Sequence, residues 1–209
     1  NVSPVARAEW DSELLTRRLE EAATLAAHGN LNSNAREAIE SQIALKTETL
    51  NQSVANLKST EDGVVAAASV ESNLEASLVG HERVLTGLSI DKPNSAQEIA
   101  PILNKVRVQA EATNSKRKSS EHEATGQTEK KVKAAAENQK KNAREKVQQL
   151  RALSVSKRLQ ASTTAEATMS AGDIEAAIDM GEQKFNEGKF GEALTTFQAT
   201  LRAAKAVEV

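Results

Sequence analysis

Histidine and cysteine are the residue types that most often bind metals, and this chain uses both sparingly. It has three histidines, His28, His81 and His122, and no cysteine. No two histidines lie three or four residues apart, the spacing that places two ligands on one face of a helix. His81 falls in an apolar stripe and is interpreted as a hydrogen-bonded structural residue. We therefore predict that the protein needs no metal and no organic cofactor.

Acid–base chemistry would need a pair of carboxyl groups in different environments. Glu9, Asp11 and Glu13 cluster around Trp10 near the start of the chain. An acid and a base of this kind need a pocket that moves their pKa values apart, and a thin bundle of helices offers few such pockets. We therefore predict that the protein is not an enzyme. A hydrolytic enzyme stays as a third alternative, for which the sequence carries no motif.

Positive charge is concentrated near the middle of the chain. Residues 116–158 contain 13 basic and 5 acidic side chains, a net charge of +8, whereas the whole chain carries -2. A stripe of lysine and arginine is the pattern that binds phosphate groups. The candidate anion contacts in this block are Lys116, Arg117, Lys118, Lys130, Lys131, Lys133, Lys140 and Lys141.

Three interpretations of this basic block are open. The block has no aromatic residue on which a base could stack, and its acidic residues allow pairs four residues apart, such as Glu129 with Lys133. We favour a solvated helix face. The alternatives are weak binding of nucleic acid or another polyanion, and pairing with the acidic ends of this chain or of a second copy.

The elements that carry these residues are all predicted to be α-helices. The chain has 2% aromatic residues and three prolines, and it is rich in Ala, Glu, Lys, Gln and Leu, a composition that fits extended helical proteins. The first helix is predicted over about residues 4–28, with Ser3 as its N-cap and Pro4 at its first position. Two further amphipathic helices follow, over about 34–58 and 63–88. Short connections between them imply antiparallel packing.

The longest predicted element extends from about Ser95 to Thr164 as one near-continuous helix. Pro101 lies beyond its first turn and is expected to kink it. At a rise of about 1.5 Å per residue, roughly 70 residues would form a rod of about 105 Å, a very long coiled-coil-like arm. From about 113 to 127 the apolar stripe is lost, which predicts a solvated or frayed stretch. The first apolar residues join the bundle as its fourth member: Ile99, Ile102, Leu103 and Val106.

Two short helices are predicted near the end of the chain, over about 173–187 and 190–207, with a turn at Gly188 and Lys189. Small and aromatic residues recur in them at Ala177, Gly181, Phe185, Phe190, Ala193, Leu194, Phe197 and Leu201. The pattern resembles a single tetratricopeptide repeat. In that family small residues let two antiparallel helices approach closely, and aromatic side chains fill the space between repeats. The sequence contains no second repeat, although such repeats stack to bury their faces.

A lone hairpin of this kind needs a cover for its apolar side chains. Fully burying one of them contributes roughly 1.5–3 kcal/mol, so a cover is expected. Its candidate docking residues are Phe185, Phe190, Phe197 and Leu201. The predicted cover within the chain is the seam Val147, Leu150, Leu153 and Leu159. Whatever that seam leaves exposed is predicted to bind a protein partner or a second copy of the chain.

The first part of the chain carries a second resemblance. The residues concerned are Ala8-Glu9-Trp10, the run from Arg17 to Ala22, and the run from Leu25 to Leu31. They are similar to a helical domain of unknown function from bacterial envelope proteins, which lies just outside a membrane anchor. The resemblance implies an extracytoplasmic location. Because the chain begins at Asn1 and not at Met, we expect that a signal or anchor was removed or that the chain was shortened.

Together these observations predict an all-α protein in three segments. Residues 1–112 form an antiparallel helical bundle with the start of the long helix, 113–165 a basic helical arm, and 166–209 a tetratricopeptide-like hairpin. No run of about 18 apolar residues, the length that spans a bilayer, is present. The predicted function is that of a non-enzymatic scaffold or spacer, the soluble part of a bacterial envelope protein. The alternative is a helical protein that binds nucleic acid or a polyanion through the basic block.

Overall fold

The computed structural model describes residues 2–60, 63–127, 129–157 and 171–208. These residues form seven α-helices and no strand, which confirms the prediction of an all-α protein. The helices are α1 (Pro4–Ala27), α2 (Ser33–Lys58), α3 (Gly63–Asp91), α4 (Pro93–Thr125), α5 (Glu129–Lys157), α6 (Ala171–Asn186) and α7 (Phe190–Glu208).

The ends of α1 follow directly from the local sequence. The Ser3 hydroxyl accepts a hydrogen bond from the backbone N–H of Ala6 at 3.1 Å, and Pro4 occupies the first helical position. At the other end Gly29 takes a φ of +70°, a conformation that costs glycine little. The backbone N–H of Asn30 then reaches the carbonyl of Leu25 at 2.8 Å, which closes the helix in a Schellman motif.

The helices are divided between two compact units. Unit 1 contains α1, α2, α3 and α4 as far as Ser120, and unit 2 contains residues 121–208. The last turn of α4 therefore belongs to unit 2, together with α5, α6 and α7. This division differs from the three segments that the sequence predicts, with boundaries after residues 112 and 165.

Side-chain pairs show that unit 1 is an up-and-down bundle. Asp11 of α1 pairs with Ser53 of α2, and Lys58 at the end of α2 pairs with Glu71 near the start of α3. Each pair joins one helix to a helix that runs in the opposite direction. Helices α3 and α4 are joined by the pairs Glu82–Arg107, Glu75–Arg117 and Glu71–Ser120. From one pair to the next, the residue number falls on α3 and rises on α4. All three consecutive helix pairs are therefore antiparallel, as predicted.

The core of unit 1 is one continuous apolar cluster. Its largest fully buried side chains on α1 to α3 include Leu15, Leu19, Leu57, Leu78 and Leu85. From α4 it receives Ile99, Ile102, Leu103, Val106 and Ala110. The prediction that this stripe joins the bundle as a fourth member is therefore confirmed. Helix α4 continues through Pro101 without interruption.

Beyond Ala110, helix α4 is attached to the bundle by polar contacts. Thr113, Arg117 and Ser120 are buried, at 2%, 7% and 0% exposure. The Arg117 guanidinium donates to the Glu75 carboxylate, and the Ser120 hydroxyl donates to the Glu71 carboxylate, both at 2.5 Å. The prediction of a solvated or frayed stretch from 113 is therefore wrong for the face that carries these residues, because their partners are charged groups on α3.

The predicted near-continuous helix is interrupted after α4. The helix ends at Thr125, and Gly126 and Gln127 lie in a turn before α5 begins at Glu129. The Thr125 hydroxyl donates to the carbonyl of His122 at 2.9 Å, the same oxygen that accepts from Gly126 N–H at 3.1 Å. Glycine disfavours a helix interior by about 1 kcal/mol relative to alanine. The prediction of one near-continuous helix is therefore wrong at this point, and residues 158–164 lie outside the described residues.

Unit 2 packs the helix α5 against the hairpin of α6 and α7. Arg144 and Arg151 of α5 pair with Glu182 and Glu175 of α6, so these two helices are antiparallel. Val147 and Leu150 of the predicted seam are buried, and Val132, Ala136 and Ala143 of the same helix are buried as well. The side chain of Leu153 and all of Leu159 lie outside the described residues. In the part of the chain that the structure describes, no helix combines the length and apolar character needed to cross a bilayer.

We expect Arg117→Ala to lower the free energy of unfolding of unit 1 by about 3 kcal/mol, because it leaves the largely buried Glu75 carboxylate without its charge partner. The matched control is Lys118→Ala, since Lys118 is adjacent and exposed, and it should change stability by less than about 0.5 kcal/mol. Urea unfolding followed by circular dichroism measures both. Equal effects of the two substitutions would contradict the role given to Arg117.

Candidate docking surface

The α6–α7 turn places two aromatic rings side by side. Gly188 adopts a φ of +77°, and the backbone N–H of Lys189 donates to the carbonyl of Lys184 at 2.9 Å, which completes a Schellman motif. The turn brings Phe185 and Phe190 together with their ring centroids 5.1 Å apart and their planes at 67°. This edge-to-face geometry is the favourable one for two aromatic rings.

One turn away from this pair, a close contact between Gly181 and Phe197 holds the two helices together. Phe197 is 0% exposed. A Cβ atom built on Gly181 would lie 2.5 Å from the Cε1 atom of that ring, so only glycine fits there without a shift. Phe197 was predicted as a docking residue, but its complete burial places it in the core, where a partner has no access to it.

The remaining candidate docking residues are partly accessible. Phe185, Phe190 and Leu201 are half-buried. Lysines of α5 lie over the two rings, with the Nζ of Lys133 5.4 Å from the centroid of Phe190 and the Nζ of Lys140 5.7 Å from that of Phe185. An ammonium group over an aromatic face is attracted by the negative face of the ring. The cover of this pair is therefore partly ionic, and it comes from the basic block.

Charge pairs neutralise part of the basic block within unit 2. Glu182 of α6 lies 2.6 Å from the Nη2 of Arg144 and 3.7 Å from the Nζ of Lys140. Glu175 of the same helix pairs with Arg151. Opposite charges at these distances partly cancel the field that a polyanion would sense. These contacts correspond to the interpretation in which the basic block pairs with acidic residues of the chain itself.

The predicted anion contacts are divided between the two units. Lys116, Arg117 and Lys118 belong to unit 1, and the other five belong to α5 in unit 2. Arg117 is buried against Glu75, and Lys116 donates to the side-chain oxygen of Asn51 at 2.7 Å. The remaining contacts on α5 are exposed at Lys130 and Lys141 and half-buried at Lys131.

The hairpin turn also carries an exposed ion pair. The Lys189 ammonium lies 2.8 Å from the Glu187 carboxylate. This hydrogen bond lowers the pKa of Glu187 and raises the pKa of Lys189 from their ordinary values. A shallow cleft of about 400 Å³ beside the pair is lined by residues that include Val132, Lys189 and Phe190. The half-buried ring of Phe190 therefore borders a concave surface with a cation at its edge.

The carboxylates and histidines near the other end of the chain do not converge. Asp11 is buried and accepts from the Ser53 hydroxyl at 2.5 Å, whereas Glu9 and Glu13 are exposed. The buried His81 places its Nδ1 2.8 Å from the carbonyl oxygen of Ser77, in agreement with a structural role. Among the described residues, no group of three His, Cys, Asp or Glu side chains is placed to hold a metal ion.

The sequence predicts Lys133 and Lys140 only as anion contacts, whereas the structure places both over the aromatic pair. Their spacing of seven residues places them on one face of α5, and this spacing was the available signal. It did not indicate which residues that face meets.

The comparisons with known proteins give no match of any of the three kinds. No family model, no curated protein and no solved structure matches the chain. The resemblances of the hairpin to a tetratricopeptide repeat and of the first helices to an envelope domain therefore stay predictions.

We expect Phe197→Ala to lower the free energy of unfolding of unit 2 by about 3–5 kcal/mol, because it removes a fully buried ring. Phe190→Ala should lower it by roughly half as much or less, since that ring is only half-buried. Thermal and urea unfolding of the two variants measure this difference. If Phe190→Ala were as destabilising as Phe197→Ala, the aromatic pair would be part of the core and not a surface.

Proposed function

We propose that the protein is a non-enzymatic scaffold or interaction protein and that its C-terminal hairpin docks a protein partner. The observation that carries the proposal is the aromatic pair Phe185 and Phe190. Both rings are half-buried, their centroids lie 5.1 Å apart, and the side chains of two lysines lie over them. Exposed aromatic residues rimmed by charge are enriched in protein interfaces.

The chemistry of this surface favours a partner that is both apolar and acidic. An apolar side chain would pack on the rings, and a carboxylate next to it would pair with Lys133, Lys140 or Lys189. All three lysines lie at the edge of the aromatic pair or of its adjoining cleft. A protein partner and a second copy of the chain are both compatible with this chemistry. An envelope location rests on the resemblance of the first helices alone.

Two features of the described residues support a function without catalysis. Among the carboxylates near Trp10, Asp11 is buried whereas Glu9 and Glu13 are exposed, and the histidines lie apart at the C-cap of α1, on α3 and on α4. A nucleophile and its base must lie within hydrogen-bond reach of each other and of a reacting atom. Side-chain contacts in both units instead join neighbouring helices, as in a structural bundle.

The experiment that tests docking compares substitutions in the aromatic pair with one elsewhere on the hairpin. We expect Phe185→Ala combined with Phe190→Ala to weaken association about 30-fold or more, as loss of a central aromatic anchor does. The matched control is Met180→Ala, because Met180 is on the same helix and is 59% exposed. Sedimentation velocity measures self-association, and cross-linking in the source cells followed by mass spectrometry measures partner capture.

Equal association of the double variant and the control would contradict docking through this pair. The proposal also fails if the unmodified protein neither self-associates nor cross-links to a partner. Circular dichroism of each variant distinguishes a lost interface from a lost fold.

Binding of polyanions through the basic block is the alternative function. The pairs that Arg117, Arg144 and Arg151 make with acidic residues favour weak binding. We expect single-stranded DNA to bind with a Kd of about 10⁻⁴–10⁻⁶ M at physiological salt, the range of non-specific contacts, and to dissociate as salt rises. Fluorescence anisotropy with two unrelated sequences measures this. Salt-resistant binding that discriminates between the sequences would favour the alternative.

A further inference from the structure

A cavity of about 280 Å³ lies in unit 1 between α2, α3 and the second half of α4. Its apolar wall is formed by four core residues, Leu50 and Val54 of α2 and Val70 and Leu74 of α3. A cavity of about 150 Å³ with apolar walls holds a benzene molecule. By that measure this cavity has room for roughly eleven non-hydrogen atoms, the size of a medium-length hydrocarbon chain with a small head group.

The charged side chains that line the cavity are two lysines and one carboxylate, namely Lys58 of α2, Lys116 of α4 and Glu71 of α3. The Lys58 ammonium lies 3.3 Å from the Oε1 of Glu71, and the Oε2 of Glu71 accepts from the Ser120 hydroxyl. Both oxygens of this carboxylate are therefore paired, and Lys58 balances its charge. The lining keeps one positive charge in excess, that of Lys116.

The face of α4 that lines the cavity retains hydrogen-bond donors for a ligand. The Lys116 ammonium donates to the uncharged side-chain oxygen of Asn51 at 2.7 Å, and an ammonium group has three donors. Thr113 lines the same cavity and is 2% exposed. Its hydroxyl accepts from the Nε2 of Gln109 at 3.3 Å, and its own proton can be donated to a further acceptor. The spacing of three residues places Thr113 and Lys116 on one side of the helix.

This combination of charge, donors and apolar wall favours a monoanion with a hydrocarbon chain. A single carboxylate would neutralise the excess charge of Lys116 and accept hydrogen bonds from α4. The chain would leave water for the apolar wall, which is favourable in proportion to the area buried. A cation would add to a lining that is already positive. A doubly charged head group would keep one negative charge unmatched beside the Glu71 carboxylate, which is costly.

We propose that this cavity binds a medium-chain aliphatic monocarboxylate. Its carboxylate accepts hydrogen bonds from the Lys116 ammonium and the Thr113 hydroxyl, and its chain packs against the four core residues of the wall. The site lies in unit 1 and shares no residue with the docking surface of the hairpin. The two proposals can therefore fail independently.

The first test compares three ligands of nearly equal size by isothermal titration calorimetry at pH 7. Nonanoate is the expected ligand, and it should bind with a stoichiometry of one. Methyl octanoate has the same number of non-hydrogen atoms but no charge, so it should bind roughly tenfold or more weakly. Nonylammonium carries the opposite charge, and it should bind more weakly than the ester.

A matched pair of lysine variants assigns the recognition of charge to α4. Lys116→Gln removes the charge and keeps a side chain of similar length. We expect it to weaken nonanoate binding by about tenfold, the loss of one charge-assisted contact, and to leave the binding of methyl octanoate unchanged. Lys118 is exposed and does not line the cavity, so Lys118→Gln should bind nonanoate as the unmodified protein does.

A second pair of variants assigns the chain to the cavity. Ala55 lines the cavity but is exposed, so Ala55→Phe obstructs the cavity without removing a core side chain. We expect it to weaken the binding of both nonanoate and methyl octanoate. Ala44 is exposed on the same helix and does not line the cavity, so Ala44→Phe should bind both as the unmodified protein does. Circular dichroism verifies that all four variants fold.

Each contrary result overturns the proposal. The cavity is not a site if nonanoate does not bind or if Ala55→Phe binds it as well as Ala44→Phe. Selection of a carboxylate is excluded if methyl octanoate or nonylammonium binds as tightly as nonanoate. Equal weakening by Lys116→Gln and Lys118→Gln would show a general attraction to the basic helix and not a contact inside the cavity.

Discussion

A shortage of large apolar side chains is the constraint on which the packing of unit 1 depends. The chain has 2% aromatic residues and no tyrosine, so α1 to α3 bring small side chains such as Ala8, Ala22 and Ala67 into the core. Helix α4 carries its large apolar residues in its first half only. Its second half is attached through Arg117 and Ser120 to carboxylates of α3. These polar contacts hold the second half of α4 in place, but they do not fill the space between α4 and its neighbours with apolar side chains. A cavity therefore lies beside them.

Most of the fold could be predicted because local residues determine where the helices begin and end. Ser3 and Pro4 begin α1, and Gly29 and Gly188 allow the left-handed turns that end α1 and α6. The interruption at Gly126 could not be predicted in the same way. Helix formers lie within a few residues on both sides, at Glu123-Ala124 and Glu129-Lys130, and a single glycine inside a helical pattern is often tolerated.

Less of the candidate sites could be predicted, because they depend on contacts between residues far apart in sequence. Ser120 and Glu71 are separated by 49 positions, and apolar periodicity does not indicate that a polar residue is buried. Similarly, the helical pattern groups Phe190 with Phe197, although only Phe197 meets the close approach at Gly181. Their different burial follows from the packing of α6 against α7. The apolar pattern of one helix does not indicate how closely a second helix approaches each of its residues.

Because two lysines lie over the aromatic pair, the properties of the hairpin surface depend on the chemical state of their amino groups. Lys133 and Lys140 are held over Phe190 and Phe185 in part by the attraction of an ammonium group to an aromatic ring. Acylation of a lysine removes both its charge and its attraction to an aromatic ring. An acetyl group on either side chain would therefore remove a positive charge and the cation–π attraction to the ring beneath it. The net charge of this surface and the ionic part of its cover consequently depend on the same two nitrogen atoms.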